Sequence, residues 1–132
     1  MEAITKHPIE ILILLFLIVT FLQSGIDKIT DWKGNVTFIS DHFKNSPLKN
    51  MVPLLLAIIV ITEIVASLFM IYGIYGIVTS GTKEFALYGV VLASLTLIFL
   101  LIGQRLAKDY AGAMSLAVYF IVTILGLIVL TK

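Results

Sequence analysis

The chain contains no cysteine, and this absence excludes several kinds of chemistry at once. Disulfide bonds, thiolate nucleophiles, iron–sulfur clusters and cysteine-based metal sites all need a cysteine side chain. Histidine is also scarce, because His7 and His42 are the only two and lie far apart in the sequence. The sequence therefore predicts no metal site and no intrinsic cofactor.

Charged residues are also few. Only 13% of the 132 residues are charged, whereas 60% are hydrophobic, and the net charge is +1. A soluble domain of ordinary composition is much less apolar than this. The small net charge gives no electrostatic footprint for nucleic acid, so nucleic-acid binding is not expected. Most of the chain is predicted to lie in a lipid bilayer.

What the chain has instead is four long apolar runs separated by short polar segments. A helix of about 18 residues, at ~1.5 Å per residue, is just long enough to span a ~30 Å hydrocarbon core. The predicted transmembrane helices cover residues 9–26, 51–78, 85–104 and 113–130. Short connections make consecutive helices antiparallel neighbours. The predicted fold class is all-α, an up-down four-helix transmembrane bundle forming one domain over residues 1–132.

The first apolar run has a rival interpretation as a signal peptide, with Gln23-Ser24-Gly25 as the cleavage site. A signal peptide needs a positively charged region before its apolar segment. The leader instead mixes Glu2, Lys6 and Glu10. We therefore expect the first run to be retained as a span.

The first connection, Asp27 to Asn50, is predicted to contain a helix lying in the membrane interface. Val36, Ile39 and Phe43 fall on one side of such a helix, and the charged residues fall elsewhere, which is the pattern of an interfacial amphipathic helix. The alternative is a solvated loop with one helical turn.

Basic residues predict the orientation of the bundle. Six lie in the first and third connections, namely Lys28, Lys33, Lys44, Lys49, Arg105 and Lys108, and three lie on the opposite side, namely Lys6, Lys83 and Lys132. Since Lys and Arg concentrate in cytoplasmic loops, both connections are predicted to be cytoplasmic and both termini to lie outside.

A single carboxylate, Glu63, interrupts the second apolar run. It lies about 18 Å along the helix from Met51, which predicts a position near the bilayer midplane. With no cation expected at that depth, we predict an uncharged Glu63, because burial disfavours the charged form. Its predicted hydrogen-bond partner is Ser67, one turn on, or a hydroxyl of another span: Thr20, Ser94 or Tyr119. Glu63 then serves either in binding or proton transfer, or only to tie helices together.

A second group of candidates forms an interfacial polar cluster near the basic side. Its members are Gln23, Gly25, Asp27, Lys28, Gln104, Arg105 and Asp109. Asp27 with Arg105, or Lys28 with Asp109, would form ion pairs. Together with Gln23 and Gln104, these groups would alternatively bind a quinone ring or a lipid phosphate. The plainer interpretation is ordinary anchoring at the interface.

Two motifs resemble those of DoxX-like membrane proteins, which are small four-span bundles. Gly25-Ile26-Asp27-Lys28 looks like the Gly-x-x-Lys signature closing the first helix, and Glu63 to Ser67 resembles the Glu-x-x-x-Gly stretch of the second. Ser67 stands where the family often has Gly, and Leu14 lies near the place of a family Arg. If that Arg neutralises the family's Glu, Glu63 has lost its counter-charge here.

The resemblance implies a place in a membrane oxidoreductase assembly, such as the small subunit of thiosulfate:quinone oxidoreductase. A chain with no cysteine and no haem or metal motif would supply a membrane anchor, a quinone pocket or a proton path, while a soluble oxidoreductase partner performs catalysis. The alternatives are a small transporter or channel component that uses Glu63, or a purely structural membrane partner. A homodimer through Gly73, Gly76, Ala113 and Ala117 would supply a missing wall for transport.

Overall fold

In the computed structural model, which describes residues 5–131, the chain is helical and contains four helices long and apolar enough to cross a membrane. The helices are α1 (Pro8–Thr30), α2 (Trp32–His42), α3 (Val52–Ser80), α4 (Glu84–Leu106) and α5 (Tyr110–Leu130). The all-α class and the four predicted spans, α1, α3, α4 and α5, are confirmed. Glu2 and Lys132, which entered the predictions on the leader and on orientation, lie outside the described residues.

The helices continue past the ends of the apolar runs. α1 extends four residues beyond the predicted end at Ile26, because backbone hydrogen bonding does not stop at the first charged side chain. α5 begins at Tyr110 rather than Ala113, since the Asp109 side chain caps it by accepting a hydrogen bond from Gly112 N at 2.9 Å. The extension of α1 places Lys28 on a helix, one turn after Ser24.

The four spans form a closed ring of neighbours. α3 packs on α4, α4 packs on α5, and α1 closes the bundle by packing on both α3 and α5. The buried core draws on Leu14, Leu17 and Phe21 of α1, Ala66 and Met70 of α3, and Val90, Ala93 and Leu97 of α4. Large apolar side chains also cover the outside, where Leu12 is 65% exposed and Met114 is 71% exposed. An apolar exterior is expected for a protein whose surface contacts lipid chains.

The contact between α3 and α4 depends on small residues. A Cβ atom added to Gly73 would lie 2.5 Å from the backbone of Ala86, and one added to Gly76 would lie 2.8 Å from Thr82 Oγ1. Both glycines therefore pack against neighbouring residues of the same chain, and a homodimer stays a prediction. Ala113 is also buried, while Ala117 is exposed.

A helix does form in the first connection, where α2 begins after Asp31, whose side chain accepts from Gly34 N at 3.3 Å. Val36, Ile39 and Phe43 are half-buried, in keeping with an apolar side of this segment. The Phe43 ring lies against α4, since a Cβ on Gly103 would be 3.6 Å from its Cζ. The position of α2 in a membrane interface stays a prediction.

The orientation also stays a prediction, and substituted cysteines test it because the native chain has none. We expect Lys33→Cys to resist an impermeant maleimide in intact cells and to react after permeabilisation. Lys6→Cys, on the opposite side, is expected to react in intact cells. The reverse pattern would invert the assignment of both faces.

Candidate functional site

A buried ion pair joins α1 to α3. Lys28 Nζ lies 3.2 Å from Glu63 Oε1, and the two side chains are 18% and 4% exposed. Gly25 permits the close approach of the two helices, because a Cβ there would lie 2.7 Å from Ile64 Cδ1 and 3.9 Å from Glu63 Cβ. Of the two motif residues, Gly25 thus allows α3 to approach α1, and Lys28 pairs with Glu63.

The Lys28 ammonium has three acceptors around it. Besides the Glu63 carboxylate, it donates to Ser24 Oγ and, at 3.4 Å, to the Ser24 backbone oxygen. An ammonium group has three N–H donors, so each can be matched to an acceptor. Ser24 is one helical turn before Lys28, and this spacing exists only because α1 continues to Thr30.

The prediction that Glu63 lacks a cationic partner is wrong. It assigned Lys28 to a polar connection outside the membrane, whereas the continued helix and the long lysine side chain bring the ammonium inward. Leu14, at the place of the family's Arg, is fully buried in the apolar core. Lys28 supplies the counter-charge instead, so one of the two reasons for expecting an uncharged Glu63, the missing cation, is removed, while the burial of its side chain remains.

The hydroxyl groups predicted to bond the Glu63 carboxyl have other partners. Ser67 Oγ donates to the backbone oxygen of Glu63 at 2.8 Å, not to its carboxylate. Thr20 and Ser94 likewise donate to backbone oxygens one turn earlier, each at 2.8 Å. The Tyr119 ring packs beside Phe16, with 6.4 Å between centroids. The contact between Ser24 and Lys28 was not predicted, and the four-residue spacing of the two residues was the signal for it.

Glu63 also lies nearer the end of α1 than its distance from Met51 suggested, and its depth in the bilayer stays a prediction. It packs opposite Gly25, five residues before the end of α1, which is about 8 Å of helix. The midplane prediction counted from the start of α3, and α3 has 29 residues against 23 in α1. The ion pair therefore belongs to the half of the bundle next to the first and third connections.

The interfacial polar cluster does not form a single site. Within residues 5–131, Asp27 is not paired with Arg105, and Lys28 is not paired with Asp109. Gln23, Asp27 and Arg105 are exposed, and the Arg105 guanidinium lies 5.0 Å from the Tyr110 ring centroid. Four of the predicted members lie in two different places. Gly25 and Lys28 lie near Glu63, whereas Gln104 and Asp109 lie near a histidine.

That histidine is His42, which sequence reasoning missed as a partner. Its Nε2 lies 3.3 Å from Gln104 Oε1 and 3.3 Å from Asp109 Oδ2. His42 thereby ties the end of α2 to the end of α4 and the start of α5. No signal in the sequence links residues this far apart.

A protein-family model, DoxX, matches residues 11–92. The chain belongs to the DoxX family. The matched residues include most of α1, all of α2 and α3, and the first part of α4, and so contain Lys28, Glu63 and Ser67. Gln104, Arg105 and Asp109 lie beyond the match. No curated protein and no solved structure matches the chain.

The opposite end of this DoxX protein carries a second buried carboxylate. Glu10 Oε2 lies 3.1 Å from Lys83 Nζ and 3.0 Å from His7 Nδ1, and its side chain is 10% exposed. This group joins the start of α1 to the turn between α3 and α4. The two ion pairs lie at opposite ends of an apolar core, and among the described residues no group of three or more His, Asp or Glu side chains is arranged to hold a metal ion.

Proposed function

We propose that this DoxX protein is a quinone-interacting membrane subunit of an oxidoreductase assembly. The observation that carries the proposal is the buried Lys28–Glu63 pair, in a chain with no cysteine. Ionisable side chains within transmembrane segments are costly, and their default interpretation is functional. Electron transfer then takes place in a soluble partner, and this chain supplies the membrane side of the reaction.

The two members of the pair suit different parts of the task. Lys28 is the more exposed one, and we propose that its ammonium exchanges the longest of its three hydrogen bonds, the 3.4 Å bond to the Ser24 backbone oxygen, for one to a quinone carbonyl oxygen. Glu63 lies behind it, where a carboxyl group can exchange a proton with the bound ring. Conversion of a quinone to a quinol takes up two electrons and two protons, with the electrons coming from the partner. An apolar bundle with a few polar groups at one end matches an isoprenoid quinone, which has a polar ring and an apolar tail.

The arrangement favours this function over proton or solute transport through a single bundle. The apolar core lies between the two ion pairs, and includes Leu17, Met70 and Val90. The Ser67 and Ser94 hydroxyls donate to backbone oxygens of their own helices. The described core therefore contains few polar groups that could form a proton path between Glu63 and Glu10.

Quinone binding can be measured with the native chain, because Trp32 is its sole tryptophan and lies two residues after the end of α1. We expect a short-chain ubiquinone or menaquinone analogue to quench Trp32 fluorescence saturably in neutral detergent, with concentrations expressed per micelle. Lys28→Gln is expected to weaken binding about tenfold, because it removes a charge-assisted hydrogen bond.

Lys33→Gln is the matched control, since it removes one exposed lysine near the same end and should leave the affinity unchanged. Absent saturation, or equal loss in both variants, would contradict the proposal. Proton-coupled flux in liposomes that Glu63→Gln abolishes would point to transport instead. Copurification after mild solubilisation tests the soluble partner separately, and a partner without quinone binding or flux would leave a structural role.

A further inference from the structure

A small cavity lies between the first and third connections, away from the Lys28–Glu63 pair. It has a volume of about 230 Å³. Its lining residues are His42, Asn45, Ser46, Leu106, Ala107 and Lys108. Polar side chains from one connection therefore face the end of α4 and the two residues that follow it.

The cavity offers hydrogen-bond donors. Ser46 is 5% exposed, and its Oγ accepts from Leu48 N at 3.1 Å, which leaves the hydroxyl proton to donate. His42 Nε2 has two acceptors at 3.3 Å, Gln104 Oε1 and Asp109 Oδ2, so this nitrogen carries a hydrogen. The Asp109 charge is thereby engaged by His42 and by the α5 cap. Lys108 remains as the lining residue with an ammonium group.

Lys108 holds this position in a strained backbone conformation. Its φ is 62°, the left-handed region that favours glycine. Asp109 N donates to Gln104 O at 2.8 Å, which makes Lys108 the residue that usually is glycine in this type of helix end. Strained residues cluster at functional sites. A lysine at a position better suited to glycine indicates that its side chain is used.

We propose that this cavity binds the headgroup of an anionic phospholipid. The Lys108 ammonium pairs with the phosphate, Asn45 and Ser46 donate hydrogen bonds to it, and Leu106 and Ala107 contact the glycerol carbons. The cavity lies where α4 ends and α5 begins, on the side that carries most of the basic residues, which is the level and the charge that suit anionic headgroups. The site does not depend on the quinone proposal.

The test uses the full chain in neutral detergent micelles with a trace of fluorescent phosphatidylglycerol, so that no anionic surface is present. We expect saturable binding that phosphatidylcholine displaces at least tenfold less well than unlabelled phosphatidylglycerol. Lys108→Gln and Lys108→Gly are each expected to weaken binding about tenfold, by loss of a charge-assisted contact. Lys108→Gly also relieves the strained backbone, so it should bind less while unfolding at a higher temperature.

Lys33→Gln, which removes an exposed lysine from the same side, is expected to change the affinity less than twofold. Equal losses in all three variants would show diffuse attraction and overturn the site, as would Lys108 variants that bind like the native chain. Glycerol 3-phosphate and inorganic phosphate distinguish the source of the anion. If either displaces the lipid at equal concentration, the cavity is a site for soluble phosphate rather than for lipid.

Discussion

Replacing Lys28 with methionine is expected to lower the free energy of unfolding by about 3 kcal/mol, because it leaves the Glu63 carboxyl buried without its cation. Glu63→Gln is expected to cost only about 1 kcal/mol. The asymmetry follows from exposure, since the Glu63 side chain is 4% exposed and the Lys28 side chain is 18% exposed. A lysine left alone can extend toward the interface and keep its bonds to Ser24, whereas the shorter glutamate cannot.

Reversible unfolding in mixed neutral and anionic detergent, followed by circular dichroism, measures both variants and the double variant. The double variant should cost about as much as Glu63→Gln alone, because no charge is then left unpaired. The infrared difference spectrum between the native chain and Glu63→Gln at neutral pH should contain a carboxylate band, because the other acidic residues are common to both chains and cancel. In Lys28→Met, that band should give way to a protonated carboxyl. If Lys28→Met and Glu63→Gln lowered the free energy of unfolding equally, the explanation from the different exposure of the two side chains would be wrong.

Gly73→Ala is expected to lower the free energy of unfolding by about 2 kcal/mol, because overpacking a close helix contact costs about 1–3 kcal/mol. The added methyl group would lie 2.5 Å from the Ala86 backbone, which cannot move aside as a flexible side chain can. Gly103→Ala is the matched control. Its methyl group would lie 3.6 Å from Phe43 Cζ, an ordinary contact, so the stability should stay the same or rise slightly.

The same unfolding assay compares these two alanine variants. A loss in Gly103→Ala as large as that in Gly73→Ala would show that glycine serves helix flexibility in general, not the contact between α3 and α4. Little loss in either variant would mean that α3 and α4 separate easily enough to admit a methyl group.

The apolar runs were sufficient to predict the spans, because lipid tolerates only long apolar helices and the chain has four of them. Hydropathy alone predicted the end of α1 too early, because it falls at Asp27 while the helix continues to Thr30. That error separated Lys28 from Glu63, although both had been selected as candidates. The sequence also contains no sign of the His42 contact with Asp109, which depends on how the connections fold over the ends of α4 and α5.

The order of Lys28 and Glu63 along the chain has a consequence for biosynthesis. The two residues are 35 positions apart, and Lys28 is made first. At about 5–20 residues per second, Lys28 is synthesised roughly 2–7 s before Glu63, and α1 reaches the membrane correspondingly earlier than α3. When α3 moves from the translocon into lipid, the cation that Glu63 needs is already there. The α3 segment thus need not enter the hydrocarbon layer with the Glu63 charge unpaired. Lys28 on α1 is already in place to pair with it.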